Sequence, residues 1–230
     1  MKYKNVLIKF SGEAFGDKGK PVNKRQVKLI ASEIKELVKA KVKVAIVCGG
    51  GNVSRWKDVK KGDRVEVDLK GMKGGLKNVI PLEKALKEMK VKVQVFTSFS
   101  LNTKYPKFNY SKVTKALKEN KVVIFVGGTG HPFFTHDTAA CLRALETNAE
   151  VLIKATKVDG IYSADPTLNK RAKRIKSISY KSIIAKELKI IDSVAVALAQ
   201  ENKLPIRIIK WQEGNLIKLI KGKNLGSIIK

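Results

Sequence analysis

Two spacings of apolar residues alternate along the chain. The first is a short unbroken run: residues 122–126 read VVIFV, and similar runs occur at 5–10 (NVLIKF), 42–48 (VKVAIVC), 91–97, 150–155 (EVLIKA), 205–209 and 226–229. Runs of this length, rich in β-branched residues, predict strands buried on both faces of a parallel sheet. The second is the helical stripe. Val27, Ile30, Ala31, Ile34, Leu37 and Val38 recur at helical spacing behind Asn23, a side chain suited to cap the helix. Further helices are predicted over 76–89, 111–119 with Ser111 as cap, 138–146, 180–188, 192–200 with Asp192 as cap, and 216–220. Gly74, Gly75 and Pro81 blur the start of the helix at 76–89.

Strand and helix in alternation predict an α/β protein, a three-layer α/β/α sandwich with a mostly parallel central sheet. No internal repeat, low-complexity linker or clear break interrupts residues 1–230. A single domain with two lobes is expected.

At 230 residues and 43% hydrophobic, the chain can bury a full core. No apolar run approaches the ~20 residues of a membrane helix. The basic N-terminus lacks the apolar centre and cleavage site of a signal peptide. A cytoplasmic location is expected, with Cys48 and Cys141 as buried thiols. The formal charge of +28 raises nucleic acid as a partner. Only seven of the 48 basic residues are arginine, however, and the lysines spread over nearly every segment. Surfaces that read phosphates and bases lean on arginine, so the charge argues against a dedicated nucleic-acid footprint. The densest run, KRAKRIK at 170–176, reads as a solvated face.

Candidate chemistry gathers where predicted strands end in glycine. The run at 122–126 passes into GGTG and then HPFFTHD, ahead of a helix; the run at 42–48 passes into GGGN; the first strand ends at Ser11-Gly12. A strand, a glycine turn and a helix N-terminus together offer outward N–H groups at the positive end of a helix, which suits phosphate. Lys9 and Lys154 lie inside buried-looking strands, where an ammonium group is costly unless it meets an anion. Arg55 follows the second glycine turn and has the fork geometry for phosphate oxygens. Phosphoryl transfer needs cations and N–H donors more than covalent help, and a phosphate acceptor is already anionic and needs no general base. The chain has no Gly-x-x-x-x-Gly-Lys-Ser/Thr run, which excludes a P-loop.

Several of these segments resemble bacterial uridylate (UMP) kinases of the amino-acid-kinase superfamily. The likeness runs through KFSGEAF at 9–15, GGGNVSR at 49–55, DRVEVDLKGM at 63–72, GTGHPFFTHDTAACLRALE at 128–146, KATKVDGIYSADP at 154–166 and KELKIIDSVAVALAQENKLPIRI at 186–208. The resemblance implies transfer of the ATP γ-phosphoryl group to UMP in pyrimidine nucleotide biosynthesis, Mg²⁺ with ATP, and a homohexamer. It implies one domain over 1–230, with an acceptor lobe of about 1–148 and an ATP lobe of about 149–230. On the ATP side it implies Lys9, Phe10, Ser11 and Gly12 at the phosphates, with Gly51, Arg55, Thr156, Tyr162 and Asp165. On the UMP side it implies Gly50, Asp68 at the ribose, and a wrapping loop of Thr129, Gly130, His131, Pro132, Phe133, Phe134, Thr135 and His136. Lys9, Arg55, Asp137 and Lys154 are the expected catalytic set, and no dedicated protein metal site is expected.

Three departures from the family pattern stand out. His131 and His136 replace the usual asparagine and threonine, so imidazole contacts to UMP are expected, with activity varying across pH ~5.5–7.5. The segment GMKGGLKN at 71–78 replaces an apolar helix, and its glycines weaken that helix. Trp56 stands where a glycine is usual. Two other readings stay open at this point. One is a kinase of the same fold with another acceptor, such as carbamate, an amino-acid carboxylate or another monophosphate. The other is a non-catalytic nucleotide sensor or nucleic-acid-binding relative.

Overall fold

The computed structural model of the chain describes residues 1–16, 20–56, 59, 61–100, 104–164, 168–188 and 190–230. In chain order the main elements are β1 (Asn5–Phe10), a 3-10 turn (Gly12–Phe15), α1 (Lys24–Lys39), β2 (Lys43–Cys48), α2 (Arg64–Gly74), α3 (Leu76–Glu88), β3 (Val93–Thr97), α4 (Tyr110–Lys118) and β4 (Val122–Val126). The second half adds α5 (His136–Glu146), β5 (Val151–Thr156), β6 (Ile161–Tyr162), β7 (Arg174–Ile175), β8 (Ser177–Ile178), α6 (Tyr180–Ala185), α7 (Ser193–Glu201), β9 (Ile206–Lys210), α8 (Asn215–Ile220) and β10 (Ser227–Ile229).

Eight strands form one sheet in the order β3-β4-β2-β1-β5-β9-β10-β8, and β6 pairs with β7 beside it. From β3 to β9 every neighbouring pair is parallel; β10 runs antiparallel to β9. All six parallel strands therefore end on one edge, the place where ligands bind in open α/β sheets.

Helices cover both faces. Val6, Ile8 and Phe10 of β1 join one apolar cluster with residues of α1, α3 and α8, while Leu7 joins the other with residues of α4, α5, α6 and α7. Strand pleating puts Lys9 on the Leu7 face and Lys154 on the Leu152 face, which is the same layer, the one that holds α5. Lys9 and Lys154 are also register partners on adjacent strands. Two cations are thus fixed side by side under one helix.

The three-layer, mostly parallel architecture matches the expectation from the apolar pattern. Two details differ. Helix α4 is capped by Asn109, whose side chain accepts from Lys112 N, and Ser111 lies within the helix. The glycines at 71–75 do not melt the helix there; they divide it into α2 and α3, with Pro81 inside α3. A Cβ on Gly74 would lie 2.7 Å from Val53 Cβ, so this glycine lets α2 pack tightly against the turn after β2. None of the helices among the described residues is long and apolar enough to cross a membrane.

Candidate active site

The site begins at the carboxyl end of β1, where Lys9 is 8% exposed and Lys154 beside it is also 8% exposed. Two buried ammonium groups on neighbouring strands repel unless an anion meets them. Asp137, in the first turn of α5, supplies one: its carboxylate lies 3.0 Å from Lys9 Nζ and 2.5 Å from Lys154 Nζ. The α5 N-terminus adds its own positive end to the same spot. Burial would raise the Asp137 pKa, but the charges of Lys9 and Lys154 outweigh it and hold the carboxyl well below the usual range. Burial, with Lys9 adding to it, lowers Lys154. Lys154 Nζ also donates to Ile190 O at 2.5 Å. One carboxylate stands against two lysines, a formal excess of one positive charge that suits a further anion.

The glycine turns close around this cluster. Gly49 N donates to Phe10 O at 2.9 Å, and a Cβ on Gly12 would collide with Asn52, so the first and second turns lie backbone against backbone. A Cβ on Gly50 would overlap the Gly71 carbonyl oxygen, and one on Gly51 would overlap the Arg55 guanidinium. Asn78, fully buried, donates to Gly49 O at 2.7 Å and exchanges bonds with the Asn52 side chain at 2.9 and 3.0 Å. Opposite them, Gly127, Gly128 and Gly130 all hold positive φ, and Ser98 Oγ donates to Gly128 O at 2.5 Å.

On one side of the cluster, Arg55 pairs with Glu13 at 2.9 Å and Lys157 with the same carboxylate at 3.2 Å. Burial opposes ionisation of Glu13, yet Lys157 and Arg55 outweigh it and lower its pKa. A cavity of about 190 Å³ opens here, lined among others by Ser11, Glu13, Thr156, Lys157, Lys210 and Trp211. The Phe10 ring turns away into the core against Trp211, at 5.3 Å between centroids, leaving its backbone at the site. Tyr162 donates to Asp159 at 2.7 Å, and Asp159 pairs with Arg174 at 3.1 Å. Asp165 lies outside the described residues.

On the other side, Asp68 of α2 accepts from Phe133 N at 2.9 Å, joining α2 to the loop after β4. Thr129 Oγ1 accepts from His131 N at 3.1 Å, and Pro132 is half-buried between exposed His131 and Phe133. Phe134 is exposed. The Thr135 hydroxyl caps α5 by accepting from Asp137 N at 2.9 Å and donates to Asp192. Lys9, Arg55, Asp68 and Thr135 therefore belong to one connected edge.

One expectation is corrected. Burial first, then the charges of Lys9 and Arg55, lower the His136 pKa to about 4. Its imidazole stays neutral across pH ~5.5–7.5 and does not supply the expected variation there. Arg55, expected as a fork to phosphate oxygens, has Glu13 as its partner in this structure.

The sequence pattern of the Amino acid kinase family matches residues 4–210. The chain belongs to the amino acid kinase family. A curated uridylate kinase from Helicobacter hepaticus is 42% identical over 236 residues, covering 100% of both chains. One from Campylobacter curvus is 42% identical over 234 residues, covering 99% of this chain and 98% of the relative. Among solved structures, the UMP kinase from Bacillus anthracis superposes with a TM-score of 0.95 at 32% identity, covering 100% of this chain and 97% of that one.

Several residues of this amino acid kinase family member escaped the sequence reading. Glu13 and Asn78 carry no signal in a single sequence, since a carboxylate on a turn and an amide in a helix read as surface. Asp192 was legible as the cap of α7, where it accepts from Ala195 N at 2.8 Å, but not as the partner of Thr135 and Thr138. That second role depends on α5 and α7 being neighbours.

Proposed function

We propose that this amino acid kinase family member transfers the γ-phosphoryl group of ATP to UMP, giving ADP and UDP. The observation that carries the reading is the buried Lys9–Asp137–Lys154 cluster, two lysines to one carboxylate beside the glycine turns at one sheet edge. The likeness of the whole chain to uridylate kinases points the same way and disfavours a small-acid acceptor or a non-catalytic relative.

In this reading Lys9 and Lys154 draw the two phosphate groups together against their mutual repulsion and stabilise charge on the transferred group. Asp137 keeps both ammonium groups aimed and charged. The acceptor oxygen is anionic at the outset, so no side chain needs to remove a proton. Ser11, Gly12, Gly51, Thr156, Tyr162 and Asp165 would hold ATP, with Arg55 and Lys157 turning from Glu13 to its phosphates. Gly50, Asp68 and residues 129–136 would hold UMP. Residues up to about 148 then form mainly the acceptor side and the remainder mainly the ATP side.

Kinases that use ATP need a divalent ion in general, and here it would be Mg²⁺ carried on the ATP phosphates. The described residues hold no group of three or more His, Cys, Asp or Glu able to cage a metal. A homohexamer is proposed from the family likeness, and sedimentation equilibrium measures it.

A coupled ADP assay across UMP, CMP, dTMP, carbamate and glutamate tests the reading. Saturable turnover with UMP well above the others is expected. Turnover that prefers a small acid, or none with any nucleotide, contradicts it.

A further inference from the structure

Asp68 is held in a way that the phosphate cluster does not explain. Two donors converge on one of its oxygens, Oδ2: Arg64 Nε at 2.7 Å from one turn earlier on α2, and Phe133 N at 2.9 Å from the loop after β4. Arg64 is itself gripped. Its guanidinium lies 5.4 Å from the Trp56 ring centroid and 5.5 Å from that of Phe133, one ring from each of the two turns that border the acceptor side. Phe133 is 66% exposed and holds a positive φ of 69°, a conformation costly for a bulky residue unless neighbours maintain it. A planar, always-charged guanidinium is the group suited to stack on rings while forming a directed bond to a carboxylate.

We propose that Arg64, clasped between Trp56 and Phe133, is a positioning residue that sets acceptor affinity by fixing both the Asp68 carboxylate and the loop that closes over the acceptor. This rests on the reading that UMP is the acceptor. With Oδ2 committed to Arg64 and Phe133 N, the acceptor's ribose hydroxyls are left to Oδ1. The clasp also holds the 129–136 loop against α2 before substrate arrives, so less ordering remains to be done on binding. Glycine at position 56 would remove one face of the clasp, which makes Trp56 the component that distinguishes this chain from the family pattern.

The test compares wild type with Arg64→Ala, Arg64→Lys, Trp56→Ala and Trp56→Phe in the full-length protein. Steady-state kinetics are read in both substrates, UMP binding is measured calorimetrically without ATP, and hydrogen exchange is followed at the Phe133 amide. Arg64→Ala is expected to weaken UMP binding by about tenfold to a hundredfold, the size expected for losing a charge-assisted bond. The KM for ATP and kcat should stay within about twofold. Phe133 amide exchange should accelerate in the same variant. Trp56→Ala should show a smaller shift of the same kind, and Trp56→Phe should restore it. Arg64→Lys keeps the charge but not the plane, so it should rescue only in part.

Unchanged UMP affinity in Arg64→Ala overturns the proposal. So does an equal loss in both KM values and kcat, which is the mark of a merely structural role. If Arg64→Ala does not fold, the Trp56→Ala and Trp56→Phe pair decides on the same readouts. Wild-type protein that binds no UMP yet shows slow Phe133 exchange dependent on Arg64 would overturn the UMP reading while leaving the clasp in place. The two failures are therefore distinguishable.

Discussion

Lys9 and Lys154 stand side by side on hydrogen-bonded strands, an arrangement that is repulsive until Asp137 enters it. Removing the carboxylate leaves two buried ammonium groups without a counter-charge. Asp137→Asn should therefore lower stability by about 3–5 kcal/mol at pH 7, read from a urea melt. The pH dependence has a definite sign. The folded pKa of Asp137 lies below its unfolded value near ~3.8, so its contribution is fully present above that pH. It is lost as pH falls through the lower, folded value. Asp137→Asn should accordingly flatten the acid limb of the stability curve, and an unchanged acid limb would show that the pair carries little. His136 provides an independent check. An NMR titration should place its imidazole at about 4, and a midpoint near ~6.5 would mean the ring is solvated.

At the level of single elements, the helix starts and glycine contacts give separable predictions. Asn109 caps α4, so Asn109→Ala should cost about 1 kcal/mol in a denaturant melt, while Ser111→Ala should stay within about 0.5 kcal/mol. Gly74 touches Val53 across the α2 turn, so Gly74→Ala should destabilise by about 1–3 kcal/mol through overpacking; a stabilising effect would mean α2 can move aside. These elements also show what the sequence made legible. The run VVIFV gave β4 with its observed bounds because buried parallel strands are apolar on both faces. The α4 cap was misplaced because Asn109 and Ser111 are both good capping residues two positions apart, and only the backbone angles choose between them. The glycines at 71–75 looked like helix breakers because their use is a close approach to residues 50–54, far away in sequence. Lys9 and Lys154 could be flagged as buried cations, but Asp137 as their shared partner required the third dimension, since strand pleating and α5 placement bring them together.

For the molecule as a whole, the charge of +28 is distributed, with arginine placed sparingly. Arg64 lies by the acceptor loop, Arg55 by the first turn, and Arg143 is buried at 3.8 Å from the Phe108 ring centroid. A diffuse positive field opposes compactness, and salt screens it. The melting temperature should rise as NaCl is increased from about 10 mM to about 150 mM, because the screening length shortens to about 8 Å. A fall would mean that surface ion pairs dominate. The central claim, however, concerns one sheet edge on which parallel strands deliver cations and glycine turns together. Single-turnover transfer of the labelled γ-phosphoryl group from ATP to UMP, comparing wild type with Lys9→Ala at matched secondary structure, tests it most directly. The account predicts UMP-dependent transfer in the wild type, slowed by about a hundredfold or more in the variant. Equal transfer rates in the two proteins would contradict it.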